Sequence, residues 1–127
     1  MKYLLDTQVA LWLFEGNMEL TQKAKEIIFN DENEIYVSVV SAWEVAIKVS
    51  INKLDFEGGS EVFLSSIKNY DMNILGIKGE YVTSVEKLPY IHRDPFDRLL
   101  ISTALVEGLD IITSDENIQK HDIPWIW

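Results

Sequence analysis

The stretch Lys2-Tyr3-Leu4-Leu5-Asp6-Thr7-Gln8-Val9-Ala10-Leu11-Trp12-Leu13-Phe14 decides the fold. An apolar run of strand length stops on an acid, and a segment of helical character follows at once. The same alternation returns downstream. Ile35-Tyr36-Val37-Ser38-Val39 is β-branched and aromatic and reads as a second strand. A helix over 41–52 follows it, with Trp43, Ala46 and Ile47 at helical spacing. Residues 73–77 read as a third strand and Asp110-Ile111-Ile112-Thr113 as a fourth, ending at Ser114-Asp115. Further helices are expected after a Thr21 cap, over 61–70 after a Ser60 cap, over 78–87, and over 98–107 between an Asp97 cap and Gly108. Pro89 and Pro95 bracket a loop holding His92-Arg93-Asp94, and the apolar tail 123–127 is expected to pack. Strands alternating with helices predict a single α/β domain over 1–127. Its layers are α/β/α, with a mostly parallel central sheet of about four to five strands covered on both faces.

Composition narrows the chemistry. The chain has 127 residues and no cysteine, which removes disulfide scaffolds, thiolate zinc sites and cysteine nucleophiles together. Only His92 and His121 supply imidazoles, so a metal site must rest mainly on oxygen, which favours hard cations such as Mg²⁺ or Mn²⁺. The net charge of −10 argues against a basic nucleic-acid coat protein. It leaves room for an enzyme that meets a polyanion through bound cations. No apolar stretch reaches bilayer length, and Asp6 interrupts the first apolar run before any signal-peptide pattern develops, so a cytoplasmic location off the membrane is expected.

In parallel sheets, ligands gather outside the carboxyl ends of the strands. Asp6 ends the first strand, Asp115 lies just past the last, Glu44 falls in the first turn of the helix after the second strand, and Asp97 caps the helix before the last strand. Singly, the last three have ordinary uses as caps, turn formers and first-turn acids. Asp6 differs, since an acid closing a buried strand needs a partner or a cation. Carboxylates brought within a few ångströms repel one another, and a divalent ion reverses that penalty. Such a site suits phosphodiester hydrolysis. No glycine-rich phosphate loop competes, because Gly58-Gly59 lacks the Lys-Ser/Thr that would follow.

Four blocks closely resemble the PIN-domain family, in its branch of VapC-type toxins: Leu4-Leu5-Asp6-Thr7, Ser41-Ala42-Trp43-Glu44-Val45, His92-Arg93-Asp94-Pro95-Phe96-Asp97-Arg98-Leu99-Leu100 and Thr113-Ser114-Asp115-Glu116. The resemblance runs over essentially the whole chain and is most specific over residues 93–100. It implies that Asp6, Glu44, Asp97 and Asp115 bind the metal, with Thr7 and Ser41 beside them. It also implies a Mg²⁺- or Mn²⁺-dependent endoribonuclease acting on RNA, usually a homodimer, inhibited by a cognate antitoxin that covers the site.

The neighbouring residues carry their own expectations. Asp94, before Pro95, is expected to shape the loop rather than act as an accessory acid. Arg93 and Arg98 are expected to pair with Asp94 or Asp97, and His92 to be exposed. Trp12, Phe14 and Trp43 are expected to pack in the core or against a partner rather than stack on bases. Lys48 and Lys53 form a local cluster through which RNA could be met. Three other readings differ in class. A Mg²⁺-dependent phosphoacceptor domain lacks its paired first-strand acids and its late lysine. An Asp-nucleophile phosphatase lacks Asp-x-Asp, since Thr7-Gln8 follow Asp6. A non-catalytic interaction module is opposed by the complete quartet.

Overall fold

The computed structural model describes residues 1–127. Five strands, β1 (Lys2–Leu5), β2 (Glu34–Ser38), β3 (Asn73–Leu75), β4 (Asp110–Ile112) and β5 (Trp125–Ile126), form one sheet in the order β3-β2-β1-β4-β5. Every neighbouring pair is parallel. Parallel pairs need crossovers, and the helices supply them: α1 (Thr7–Glu15), α2 (Gln22–Ile28), α3 (Val39–Ser50), α4 (Gly59–Asn69), α5 (Gly79–Ser84), α6 (Pro95–Glu107) and α7 (Glu116–Gln119). A single 3₁₀ turn, Val85–Lys87, extends α5.

Alternation along the strands explains why both faces are covered. Tyr3, Leu5, Ile35, Val37 and Ile112 point into one core with Val9, Ala24, Phe63 and Ile67 from α1, α2 and α4. Leu4 and Ile111 point the other way, onto Leu100, Ile101 and Ala104 of α6 and Ile118 of α7. The first core is the larger and takes more of the aromatics: Phe14 lies edge-on to Phe63 at 5.2 Å, and Trp127, packed against this core, meets Trp12 at 5.7 Å. Of the two placements expected for Trp43, the structure excludes the core. Trp43 is 56% exposed, with Phe96 at 5.2 Å.

Three helices start two or three residues upstream of the sequence reading, each for a local reason. The helix expected from Ser41 begins at Val39, because Ser38 turns its hydroxyl onto the Val40 N–H at 3.0 Å and caps it. Glu44 therefore sits in the second turn, not the first. The helix expected from Asp97 begins at Pro95, a residue suited to the first helical position because it has no N–H to leave unpaired. Asp94 is its cap, accepting the Asp97 N–H at 3.0 Å. The helix expected after Ser60 starts at Gly59, preceded by Gly58 at φ +83°. There Val62 fills the space a Cβ would need. The apolar tail adds the fifth strand: Ile111 and Thr113 donate to Pro124 and Ile126 carbonyls at 3.0 Å each.

What positions the site is the order of the strands. From β1 the chain moves to β2 and β3 on one side, then crosses back to β4 and β5 on the other. The carboxyl ends of β1 and β4 thus flank the switch point, where a crevice opens. The sheet centre should dominate stability. Ile112→Ala, fully buried on β4, is expected to cost about 2–5 kcal/mol, whereas Ile74→Ala, 40% exposed on edge strand β3, costs under about 1 kcal/mol. Denaturant unfolding of both variants checks this, and equal losses would contradict the packing described.

Candidate active site

A cleft of about 240 Å³ opens at that switch point, lined by Asp6, Glu44, Asp94, Asp97 and Asp115 together with Lys48 and Lys53. The four acids expected from sequence to share a site do share it, and Asp94 joins them. Each is placed by an element boundary. Asp6 extends the ladder of β1, its N–H donating to the Ile112 carbonyl at 3.2 Å, and then caps α1 by accepting the Val9 N–H at 2.7 Å. Its other oxygen accepts the hydroxyl proton of Thr113. The same Thr113 Oγ1 accepts the Asp115 N–H at 3.0 Å, so one hydroxyl links the ends of β1 and β4. Asp115 caps α7, accepting the Asn117 and Ile118 N–H groups at 2.7 and 3.2 Å. Thr7, in the cleft lining, and Ser41 are both buried, the Thr7 hydroxyl donating to Ser41 Oγ at 2.8 Å and tying α1 to α3.

The electrostatics are those of crowded, partly desolvated acids. Burial pushes Asp6 up to about 6, assisted by the charges of Asp115 and Glu44 and opposed by the hydrogen bonds from Thr113 and Val9. Asp97 is pushed further, to about 8, by burial first and then by Asp94, Asp115, Glu44 and Asp6. Glu44 is buried. Its Oε2 meets Lys48 Nζ at 2.5 Å, one turn along α3, while its Oε1 is enclosed with no hydrogen-bond partner. No three acid or histidine side chains close around one point as a ready-made ligand set. The donor chemistry nonetheless fits a hard divalent cation: oxygen groups only, a net excess of negative charge, and an orphaned buried carboxylate oxygen.

Several neighbours depart from expectation. His92 is not exposed. Its Nε2 lies 3.4 Å from Asp97 Oδ2 in a loosely aligned contact, and its Nδ1 lies 3.1 Å from His121 Nε2. Burial, with His92 and Arg98 nearby, holds His121 below the usual imidazole range. Arg98 does not pair with Asp94 or Asp97. It turns away to donate to the Pro89 and Val85 carbonyls at 3.1 and 3.3 Å, its guanidinium 5.1 Å from the Tyr90 ring centre. Two of its nitrogens are thus met by the loop that wraps over it. Arg93 is exposed and in no ion pair. Sequence reasoning missed Thr113 and His121. Thr113 left a signal, a hydroxyl closing a buried strand two residues before an acid; His121, 29 residues from its partner, left none.

A wholly parallel sheet with a carboxylate cleft at its switch point defines a class of α/β proteins whose chemistry sits beyond the strand ends. Within that class the chain belongs to the PIN-domain family, whose model, described as PIN domain, matches residues 3–124. It is similar to Ribonuclease VapC22 of Mycobacterium tuberculosis, with 25% identity over 122 residues, covering 95% of this chain and 92% of that protein. In fold it is similar to VapBC2 from Rickettsia felis bound to a DNA fragment from its promoter, at TM-score 0.73 and 16% identity over 100% of this chain and 99% of that one. DNA-bound VapBC from Salmonella typhimurium gives TM-score 0.70 at 13% identity, covering 99% and 97%.

The crowding makes a signed forecast. With its carboxyl raised to about 8, Asp97 stabilises the cation-free fold fully below about pH 4, and that contribution is lost as pH rises through about 8. Asp97→Asn escapes the loss. Melting temperatures in chelator should therefore diverge in favour of the variant between pH 4 and pH 9. A difference that stays constant with pH would contradict the crowding.

Proposed function

We propose that the chain is a divalent-metal-dependent endoribonuclease and the toxin of a type II toxin–antitoxin pair. The observation that carries the chemistry is the convergence of Asp6, Glu44, Asp97 and Asp115 on one cleft, two of them pushed toward protonation and one with a buried oxygen unpartnered. The ribonuclease assignment is supported by the name of the M. tuberculosis relative. The toxin role is supported by structural neighbours that are VapBC assemblies or, from Klebsiella pneumoniae, a toxin–antitoxin complex. The partners proposed are an RNA substrate, a cognate antitoxin over the cleft and a second copy of the chain. The location proposed is the cytoplasm, and no helix is long and apolar enough to cross a membrane. Membership of the PIN family leaves the phosphoacceptor and phosphatase readings without support.

The residues divide the work. Asp6, Glu44 and Asp97 are the principal ligands, and Asp115 completes the set. A Mg²⁺ or Mn²⁺ held there supplies Lewis-acid charge at the scissile phosphate and favours water as the attacking group. Thr113 and the Val9 N–H hold the Asp6 carboxylate in one orientation, so its oxygens face the cleft without reorganisation. Thr7 and Ser41 fix the spacing between the helices that carry Asp6 and Glu44. No side chain is needed as a nucleophile, and the hydroxyl residue of the cleft lining, Thr7, is engaged with Ser41.

Asp6→Asn keeps the shape and removes the charge. RNA cleavage should fall by at least about 100-fold while the fold is retained, and chelation should silence the parent to a similar degree. Gel-based cleavage of single-stranded RNA, with circular dichroism on the same samples, checks this. A variant that cuts as fast as the parent would overturn the mechanism.

A further inference from the structure

We infer that Lys48 and Lys53 form a phosphate-gripping pair at the acidic cleft, and that Lys48 is a stand-in counter-ion, exchanging Glu44 for the RNA backbone when a divalent cation takes that carboxylate. The inference rests on the nuclease reading and names how such a site would hold its substrate.

A polyanion entering this cleft meets five carboxylates and two cations. The rest of the chain offers little help. Arg98 is buried against loop carbonyls, and Lys2 and Lys78 pair with Glu34 and Glu107 at 3.8 and 3.2 Å. Of the chain's eleven lysines and arginines only Lys48 and Lys53 line the cleft; Arg93, exposed and in no ion pair beside Asp94, does not.

Both are held in place by backbone geometry. Lys48 lies one turn beyond Glu44 on α3, so the two side chains share a face. Its side chain is 42% exposed where that of Glu44 is 8% exposed, which puts the ammonium at the boundary between the buried acid and solvent. The helix then ends abruptly. Asn52 adopts φ +56°, and the N–H groups of Lys53 and Leu54 both donate to the Lys48 carbonyl, at 2.8 and 3.2 Å. That reversal folds Lys53 back beside Lys48 on the cleft wall. An ammonium on a flexible stem suits a phosphate met at varying angles, where a rigid guanidinium fork would impose one.

The Glu44 contact shows why Lys48 is suited to exchange. It satisfies Oε2 alone and leaves Oε1 buried without a partner. A divalent ion offers that carboxylate more charge than one ammonium does. Lys48, displaced, stays at the mouth of the cleft, where a phosphate replaces the lost anion. Glu44 is thus screened before the cation arrives, and the substrate gains a positive contact afterwards.

The test uses the full chain with Lys48→Met, Lys53→Met, the double variant, Lys48→Arg, and Lys68→Met as a control outside the cleft. Cleavage of a single-stranded RNA oligonucleotide in Mn²⁺ is followed across a NaCl series, and Mn²⁺ binding to RNA-free protein is measured by titration with electron paramagnetic resonance. Each methionine substitution in the cleft should raise KM about 5-fold with kcat within about 2-fold, and should reduce the slope of log KM against log salt by about 0.7. Lys48→Arg should keep the slope, and Lys68→Met should match the parent. Lys48→Met should also tighten Mn²⁺ binding at least about 3-fold, and by more than Lys53→Met does, since only Lys48 competes for Glu44. A double variant with the parent's KM and salt slope would overturn the grip, and a Lys48→Met protein that binds Mn²⁺ no better than the parent would overturn the exchange. A parent that cuts RNA with no divalent cation present or added would overturn the nuclease reading itself, and the inference with it.

Discussion

A charge buried at the carboxyl end of the central strand is the constraint on which the rest of the molecule depends. Asp6 continues β1 into the first turn of α1 with almost no exposure, flanked by β2 on one side and β4 on the other. An ionised carboxylate in such a place is tolerable only with hydrogen bonds or counter-charge. Two hydrogen bonds are present, from the Val9 N–H and the Thr113 hydroxyl, and burial still outweighs them. The fold therefore carries an acid that it does not fully neutralise.

Around that acid the other carboxylates add repulsion rather than relief. Asp97 is raised above neutrality, and Glu44 borrows the ammonium of Lys48. The cleft is locally destabilising in the cation-free protein, and two well-packed cores with a sheet covered on both faces support it. Strain of this electrostatic kind is the usual companion of a functional site, where local stability is given up for pre-organised charge. His92 and His121 extend the polar region inward from Asp97. Arg98, by contrast, serves the loop over 85–90 and takes no part in the cleft.

Much of this was legible in the sequence because strand and helix periods are local signals. Four of five strands and their parallel sense follow from short apolar runs alternating with helices, and the gathering of Asp6, Glu44, Asp97 and Asp115 follows from their positions at strand ends, a helix turn and a helix start on the carboxyl edge of that sheet. What escaped was decided by competition between near-equal neighbours or by distance along the chain. Ser38 and Ser41 are both plausible caps, and a β-branched Val39 between them resembles the end of a strand although it opens α3. Asp94 and Asp97 stand three apart, the spacing of a cap and its helix partner, and only Pro95 between them hints that the first is the cap. Arg98 looks like an ion-pair partner in sequence because the carbonyls that claim it, on Val85 and Pro89, carry no side-chain signature. The two-residue β5 has no periodicity to read, and its pairing with β4 is a tertiary fact.

Joint action of the four carboxylates on one cation is open to direct test. The most direct measurement is the anomalous difference density of crystals grown with Mn²⁺. A peak in the cleft, within coordinating distance of side-chain oxygens from Asp6, Glu44 and Asp97 and in direct or water-bridged contact with Asp115, is the predicted result. Crystals that show no peak there, with Lys48 still seated on Glu44 at saturating Mn²⁺, would contradict it.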